Sequence, residues 1–324
     1  MTKQTLSILL RFALSIILLA VLLTRIDPNH LLDDFRNVDL ALFAVGLGVF
    51  WVFIAGWAFR WHLLLRDVVA DVRYIDAFST LLSGFFMSLF LPTVVGQDVG
   101  RAYELSRERE GRGDKVSIVS TVLLDRLVGL ISIVLIAVIA LLIQGSQYVG
   151  SEAIVTIIGV LIALTGGWLL FFNLRFMGRF RPLLRWPAIN RLRKTIRELY
   201  FALYRLHRKP RLLVYTLLVS IVMSLLEITS VVILSRAIGL STNPVFFYIF
   251  LPIIWIVLTI PISISGFGLR ETAFVFLFTQ VGVDSSHAIS ISFLYFAFSA
   301  IVGVCGGLLW LRSSVLLVAR ARTR

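Results

Sequence analysis

Two short segments of this sequence place charged side chains directly after a proline and glycines, within apolar surroundings. The first, LPTVVGQDVGRAYEL at 91–105, carries Pro92, Gly96, Asp98, Arg101 and Glu104. A guanidinium can bind a phosphate through two parallel hydrogen bonds, and flexible backbone can turn its amides towards the same anion. The segment therefore predicts an anion-binding site, in which the acids orient the arginine or meet a cationic group.

The second segment, TIPISISGFGLRETAF at 259–274, repeats this order of residue types with Pro261, Gly266, Gly268, Arg270 and Glu271. Apolar segments interrupted by glycine and proline in corresponding halves of a chain point to a transporter binding site. Irregular backbone at membrane depth is tolerated only where it is buried in protein or lines a wet cavity. Each proline is therefore expected at the hinge of a broken helix.

Three further ionisable residues, Asp125, Arg126 and Glu227, lie inside apolar runs. A charge at the centre of a spanning helix costs about 2.5–3.5 kcal/mol on insertion scales, so each needs a reason. Asp125 is equally consistent with a ligand role and with an ion pair that fastens two helices, whereas internal pairing is favoured for Glu227. Arg126 is expected to join Arg101 and Arg270 in engaging a phosphate.

Other polar and small residues have plainer interpretations. Arg60, at the end of an apolar run, is expected to extend to the cytoplasmic headgroups. The nearby tryptophans are expected to lie at the membrane interface or to pack between helices. The alternating charges at 106–110 indicate a helix face exposed to water. The glycines near the end of the chain indicate close helix approach. The residues concerned are Trp51, Trp57, Trp61, Gly303, Gly306 and Gly307.

The composition identifies the surroundings of these charges as a membrane. Of 324 residues, 59% are apolar and 15% are charged, against about 45–50% and 25% in a soluble domain. The sequence predicts an all-α, polytopic integral membrane helical bundle with six full spans plus two re-entrant or broken-helix elements. The spans, beginning with a retained first helix, are expected at 6–23, 40–60, 116–143, 152–173, 212–235 and 288–311.

Charge distribution predicts the orientation. Residues 174–211 hold twelve Lys and Arg against one acid, which accounts for eleven of the thirteen net positive charges. The loops at 60–74 and 96–115 and the C-terminal tail are also basic, so the positive-inside rule places them and both termini in the cytoplasm. A basic loop between apolar runs favours anionic lipid headgroups over nucleic acid as its partner.

This orientation leaves two apolar regions, 75–91 and 245–283, whose flanks lie on the same side. For 75–91 we expect a segment that enters the membrane and returns to the same side, with the turn near Pro92 and Gly96. For 245–283 we expect either a pair of crossings or a re-entrant hairpin. The two regions would then enter the membrane from opposite faces.

The usual enzymatic signatures are absent from the sequence. There is no phosphate-binding loop, dinucleotide fingerprint, histidine-based triad or zinc spacing, and the single Cys305 cannot form an internal disulfide. The longest hydrophilic segment is the basic loop 174–211. We therefore expect one transmembrane domain over 1–324, without cofactor, metal, soluble catalytic domain or enzymatic activity.

The segments LPTVVGQDVGRAYEL, VSIVSTVLLDRLVGL and PISISGFGLRETAF resemble, in that order, the signatures of a known family. It is the membrane region of lysylphosphatidylglycerol synthases, the flippase domain of the multiple peptide resistance factor, together with its stand-alone relatives. The resemblance covers roughly residues 6 to 318. It implies a flippase-like fold with re-entrant helices and a role in moving or exposing anionic or aminoacylated lipids.

Three departures from the family pattern limit what the resemblance implies. The segment Gly96-Gln97-Asp98 stands where two glycines before the aspartate are common, and Asp125 stands where glutamate is common. The soluble aminoacyl-transferring domain of the full-length synthases is absent, so this chain is not expected to make lysyl-lipid by itself.

The expected function is lipid transport across the inner (cytoplasmic) membrane, with the cargo open. A polyprenyl-phosphate-dependent glycosyltransferase requiring Asp98 is one alternative. A membrane scaffold that recruits partners through its basic loop is another. Membrane lipids are the expected partners, nucleic acid is not, and a second copy of the chain or a separate lipid-modifying enzyme stays open.

Overall fold

The computed structural model describes residues 33–69, 71–90, 96–108, 115–145, 159, 209–259 and 266–322, and these contain helices and turns but no strand. The described helices are labelled in chain order. They are α1 Leu40–Leu65, α2 Tyr74–Phe90, α3 Gly96–Glu108, α4 Lys115–Ala140 with a π-helical extension Leu141–Gly145, α5 Pro210–Ala237, α6 Val245–Leu258, α7 Leu269–Phe278 and α8 Ser285–Arg322.

Four of these helices, α1, α4, α5 and α8, contain apolar stretches of 26 to 29 residues. At 1.5 Å per residue each exceeds the ~30 Å of a hydrocarbon core. They confirm the spans predicted at 40–60, 116–143, 212–235 and 288–311. The span predicted at 6–23, the span predicted at 152–173 except for Gly159, and residues 174–208 of the basic loop lie outside the described residues.

The chain divides into two compact units. The first comprises Met1–Ala55, Phe78–Glu104 and Leu225–Arg324, and the second comprises Gly56–Ala77 and Leu105–Ser224. The last part of α1, Gly56–Leu65, and the whole of α4 belong to the second unit, whereas α6, α7 and α8 belong to the first.

In the first unit, α2 and α3 form a helical hairpin around the interruption at 91–95. A Cβ atom on Gly84 of α2 would lie 2.6 Å from the Gln97 carbonyl oxygen and 3.2 Å from the Arg101 nitrogen. A Cβ atom on Gly100 would lie 3.1 Å from the Gly84 Cα atom. The two backbones therefore touch, which only glycine permits. At 17 and 13 residues, the two arms are about 26 and 20 Å long.

A second hairpin in the same unit is formed by α6 and α7 around the interruption at 260–265. Phe247 near the start of α6 contacts Phe278 at the end of α7, with ring centroids 4.8 Å apart, and Phe250 lies 5.4 Å from the same ring. The arms are thus antiparallel. At 14 and 10 residues, they are about 21 and 15 Å long, so neither can cross a bilayer alone.

Both hairpins pack against α8. Along α8, Phe296 contacts Phe267 just before α7, at 4.8 Å between ring centroids. Further along, a Cβ atom on Gly303 would lie 2.9 Å from Leu89 near the end of α2, and one on Gly306 only 1.9 Å from the Leu82 carbonyl oxygen. The order of these contacts makes α2 antiparallel to α8. Leu89, near the end of α2, and Phe267, just before α7, therefore both contact the middle part of α8.

The start of α8 is defined by Asp284, whose side chain accepts a hydrogen bond from the Ser286 backbone N–H at 2.8 Å. This bond lowers the pKa of Asp284, as expected for a carboxylate that caps a helix N-terminus. Gly282, with φ of +79°, ends the preceding 3₁₀ turn Thr279–Val281. A short connection thus joins the second hairpin to α8.

Replacing Gly306 by alanine tests the contact between α2 and α8. The new methyl group would overlap the Leu82 carbonyl, so the helices must separate, which costs about 1–3 kcal/mol for overpacking. We expect a lower unfolding midpoint in detergent micelles. The matched control is Gly48→Ala in α1, where a Cβ atom meets nothing within 4 Å. Equal midpoints for the two variants would contradict the close approach.

Candidate functional site

Arg270 and Glu271 form a buried ion pair at the start of α7. Arg270 Nη2 lies 2.6 Å from Glu271 Oε1, and the two side chains are 7% and 0% exposed. The other carboxylate oxygen, Oε2, accepts the Gly268 backbone N–H at 2.7 Å. Gly268 has φ of +79°, a conformation that glycine adopts readily and other residues rarely do. The glycines predicted from the sequence thus shape the turn that holds the pair.

Further contacts fix the Arg270 guanidinium against α8. Arg270 Nε donates to Ser292 Oγ at 2.9 Å, and that hydroxyl lies 3.2 Å from Glu271 Oε1. The rings of Phe267 and Phe296 lie 5.5 and 5.1 Å from the guanidinium carbon, within the range of cation–π attraction. The arginine is therefore oriented by one carboxylate, one hydroxyl and two rings.

Glu227 belongs to the same polar region. The Tyr295 hydroxyl donates to Glu227 Oε1 at 2.6 Å. Tyr295 follows Ser292 by three residues on α8, so the two side chains share one helix face. Polar contacts therefore connect α5, α7 and α8 at the second hairpin. The sequence favoured a partner inside the protein for Glu227, and the structure shows one, the Tyr295 hydroxyl.

The first hairpin carries the corresponding pair on α3. Arg101 Nη2 lies 2.8 Å from Asp98 Oδ1, and the arginine side chain is fully buried. Gly96, also buried, begins the helix, and Asp98 in its first turn interacts favourably with the helix dipole. One turn after Arg101, Glu104 accepts the Trp310 indole N–H at 3.2 Å and is 1% exposed. The predicted acid–arginine arrangement is present at both hairpins.

The two arginines occupy different levels along α8. Arg270 contacts Ser292, whereas the Arg101 backbone touches Gly84, next to the residues that meet Gly306. Fourteen residues separate Ser292 from Gly306, which corresponds to about 21 Å of helix. The structure thus brings the two arginine-bearing hairpins to one helix, α8.

Asp125 lies in the second unit, where it forms an ion pair with Arg60. An ion pair was one of the two interpretations that the sequence left open for Asp125, but Arg60 was not predicted as its partner. Arg60 Nε lies 2.7 Å from Asp125 Oδ1, and the Trp57 indole N–H donates to Oδ2 at 2.8 Å. Asp125 is fully buried and Arg60 is 6% exposed. The expectation that Arg60 reaches the headgroups is wrong, because its guanidinium finds a carboxylate and the Ser220 hydroxyl inside the protein.

The surroundings of this pair explain how it fits between helices. The Arg60 guanidinium lies next to Gly129 of α4, where a Cβ atom would be at an ordinary contact distance of 3.5 Å. Ser220 also donates to Ser132 at 2.8 Å, and Ser132 lies 2.9 Å from Ser224, which extends the network between α4 and α5. Arg126, half-buried, projects about 100° around α4 from Asp125.

Several contributors to these sites escaped the sequence interpretation. Ser292 and Tyr295 stand three residues apart in an apolar span, a spacing that could have marked a polar helix face. Arg60 and Trp310 gave no local signal, since their partners are 65 and 206 residues away. Pro92 and Pro261, the predicted hinges, lie outside the described residues. In the described part of the chain no three His, Cys, Asp or Glu residues are grouped as a metal site requires.

Spanning helices, interrupted apolar hairpins and buried arginine–carboxylate pairs together define a polytopic helical membrane protein. The chain belongs to the family described as the lysylphosphatidylglycerol synthase TM region, whose model matches residues 8–307. It is similar to a UPF0104 membrane protein of Methanothermobacter thermautotrophicus, at 21% identity over 294 residues, 84% of this chain and 85% of the relative. No solved structure matches the chain.

A double-mutant cycle tests whether Arg60 and Asp125 act as a unit. Removing one partner of a buried pair leaves an uncompensated charge and typically costs about 3–5 kcal/mol, whereas replacing both by apolar residues costs far less. We expect Arg60→Met and Asp125→Leu each to lower the free energy of unfolding in detergent strongly. The double variant should be more stable than either.

The control cycle uses Arg73 and Asp76, a pair whose arginine side chain is 77% exposed. Exposed pairs couple by about 0–1 kcal/mol, so this cycle should show little interaction. Additive losses at Arg60 and Asp125 would contradict their pairing.

Proposed function

We propose that this chain is a lipid transporter that moves a phospholipid or another anionic, lipid-linked substrate across the cytoplasmic membrane. The observation that carries the proposal is the Arg270–Glu271 pair, buried at the interruption of an apolar hairpin too short to span a bilayer. Backbone that breaks at membrane depth is tolerated where it lines a protein-enclosed or wet site. An arginine in that position is suited to a phosphate.

Membrane topology supports the proposal. With the basic loops in the cytoplasm, the hairpin of α2 and α3 enters from the cytoplasmic side and that of α6 and α7 from the opposite side. Their antiparallel contacts with α8 are the ones that such re-entrant hairpins require. Both chain termini then lie in the cytoplasm. The family name refers to lysylphosphatidylglycerol, and this chain is proposed to act on phosphate-bearing lipids.

Because each hairpin carries its own acid–arginine pair, we propose a mechanism with two headgroup positions. Arg101 with Asp98 would receive the phosphate from one leaflet, and Arg270 with Glu271 would hold it nearer the other, while acyl chains stay in the bilayer. Movement of one broken element relative to the other would alternate access. The chemistry required is binding and release of a charged headgroup, with no covalent step, so we propose a transporter rather than an enzyme.

Reconstituted transport tests this proposal. Purified protein in liposomes should accelerate the translocation of a fluorescent phospholipid over protein-free vesicles. Arg270→Gln and Arg101→Gln should each slow it at least about tenfold, because a hydrogen bond to a charged group contributes about 1.5–3 kcal/mol. Arg270→Lys should be nearly as slow, since an ammonium lacks the planar fork of donors.

Arg73→Gln is the matched control, because Arg73 is exposed at the start of α2 and lies outside both sites. Its rate should equal that of the unmodified protein. Each variant is checked for an unchanged elution volume and unfolding midpoint before reconstitution. A rate in the unmodified protein no higher than in empty vesicles, for phosphatidylglycerol, phosphatidylethanolamine and polyprenyl phosphate alike, would exclude lipid transport.

A further inference from the structure

Glu227 is an ionisable residue at membrane depth to which the proposed function assigns no role. Ten residues, about 15 Å of helix, separate it from the end of α5 at Ala237, so its carboxyl group lies near the middle of the ~30 Å hydrocarbon core. The side chain is half-buried and not enclosed by protein. A carboxyl group at that depth is stable as the neutral acid beside lipid and as the carboxylate beside water. This position therefore favours a group that gains and loses a proton.

A hydrogen bond from α8 holds Glu227 in either protonation state. The Tyr295 hydroxyl donates to Glu227 Oε1 at 2.6 Å. An ionised carboxylate accepts hydrogen bonds through both oxygens, and a protonated carboxyl group still accepts through one of them. A proton can thus bind to the other oxygen, Oε2, while the bond from Tyr295 stays in place. The side chain keeps its orientation when its charge changes.

Glu227 and the Arg270–Glu271 pair contact neighbouring turns of α8. Arg270 Nε donates to Ser292 Oγ at 2.9 Å, and Ser292 precedes Tyr295 by about one helical turn. The Arg270 guanidinium also acts electrostatically on the Tyr295 hydroxyl. With Glu227 ionised, this region holds one positive and two negative charges. With Glu227 protonated the charges balance, so an anion binds at Arg270 against less repulsion.

The other helices around Glu227 contribute polar groups that stay neutral. Tyr248 of α6 shares a hydrogen bond of 2.9 Å with Thr229, two residues after Glu227 on α5. From α1, Phe50 contacts the Tyr295 ring at 5.8 Å between centroids, and residues 40–55 contain no titratable side chain. A phenol ordinarily ionises only near pH 10. These neighbours therefore supply hydrogen bonds and packing, and the charges that face Glu227 from the described helices are those of α7.

We propose that Glu227 is a proton-binding site, and that its proton crosses the membrane together with the phosphate held at Arg270. This inference rests on the proposed function, since the phosphate is that of the transported headgroup. The proton leaves water on the side where the lipid enters, forms the O–H bond of the carboxyl group and returns to water on the other side. The coupling is electrostatic and needs no contact between Glu227 and the phosphate.

The stoichiometry of this coupling determines what drives transport. A monoanionic phosphate headgroup and one proton carry no net charge together. A pH gradient then biases the lipid towards the alkaline side, whereas a membrane potential does not act on the pair. A phosphate that crossed alone would respond to the potential instead.

Lipid distribution under an imposed pH gradient tests the proposal. The purified full chain in liposomes should move acyl-labelled phosphatidylglycerol towards the alkaline leaflet by up to about tenfold per pH unit, beyond any bias in protein-free vesicles. A potassium diffusion potential at equal pH should produce no bias. Glu227→Gln, which is nearly isosteric but binds no proton, should translocate the lipid without responding to the gradient.

Two further variants serve as controls. Glu227→Asp keeps a carboxyl group and should retain the bias. Asp71→Asn removes an exposed carboxylate from the turn before α2 and should behave as the unmodified protein. Loss of the bias in Glu227→Asp as well as Glu227→Gln would show that the shape of the side chain matters and not its proton, and would overturn the proposal. An unchanged bias in Glu227→Gln would overturn it too.

Infrared spectroscopy detects the proton without any lipid gradient. In a pH titration of the reconstituted protein, the C=O stretching band of a protonated carboxyl group in apolar surroundings should be present, absent in Glu227→Gln and kept in Asp71→Asn. A titration that Glu227→Gln leaves unchanged would overturn the proposal. A Glu227-dependent band without lipid transport would refute the proposed transporter but keep the proton site. Transport by the unmodified protein without a response to the pH gradient would refute the coupling but keep the transporter.

Discussion

A guanidinium removed from water must find a carboxylate or other acceptors within the protein, since an uncompensated buried charge costs several kilocalories per mole. Arg60, Arg101 and Arg270 all meet this requirement, with Asp125, Asp98 and Glu271 as their partners. The requirement also accounts for neighbouring choices. The Ser220 hydroxyl accepts a hydrogen bond from the Arg60 guanidinium, and Gly268 donates its N–H to the carboxylate that orients Arg270. Hydroxyl groups and local backbone thus complete the environment of these charges.

The pairs differ in how they are built. Asp98–Arg101 and Glu271–Arg270 are local in sequence, so each pair forms as soon as its own helix forms. Arg60 and Asp125 come from α1 and α4, and additional hydroxyl groups from α5 complete their network. A local pair can move with its helix without losing its compensation, whereas the Arg60 network is lost if α1 and α4 separate. The first kind depends on the geometry of one helix, and the second depends on the packing of two helices.

Much of this arrangement could be predicted from the sequence, for reasons specific to each part. Hydrophobic runs predict α1, α4, α5 and α8 because a bilayer imposes their length. Proline and glycine predict the two interruptions, and the adjacent acids predict the arginine partners at each hairpin. The network of Arg60 was missed because local reasoning treats an arginine at the end of an apolar run as an interfacial residue. Its acceptor lies 65 positions away.

The position along α8 at which each hairpin makes its contacts could not be predicted from the local sequence either. It depends on which turn of α8 faces which hairpin, and that is determined by packing between distant segments. Gly306 against Leu82 and Ser292 against Arg270 set the two heights. The serine and tyrosine that complete the second site belong to a helix whose apolar character concealed them.

The contrast between the two halves of α8 has a mechanical consequence. Near Ser292 the hairpin is held by directional hydrogen bonds and by a short covalent connection, so displacement there breaks specific bonds. Near Gly303, Gly306 and Gly307 the described contacts are of backbone with backbone and with apolar side chains, and one turn further on Trp310 donates to Glu104 of α3. An axial shift of α2 would drive the Leu82 carbonyl and the Phe86 ring out of the spaces that Gly306 and Gly307 leave. The glycine half of α8 therefore resists displacement through close packing, and the serine half resists it through hydrogen bonds.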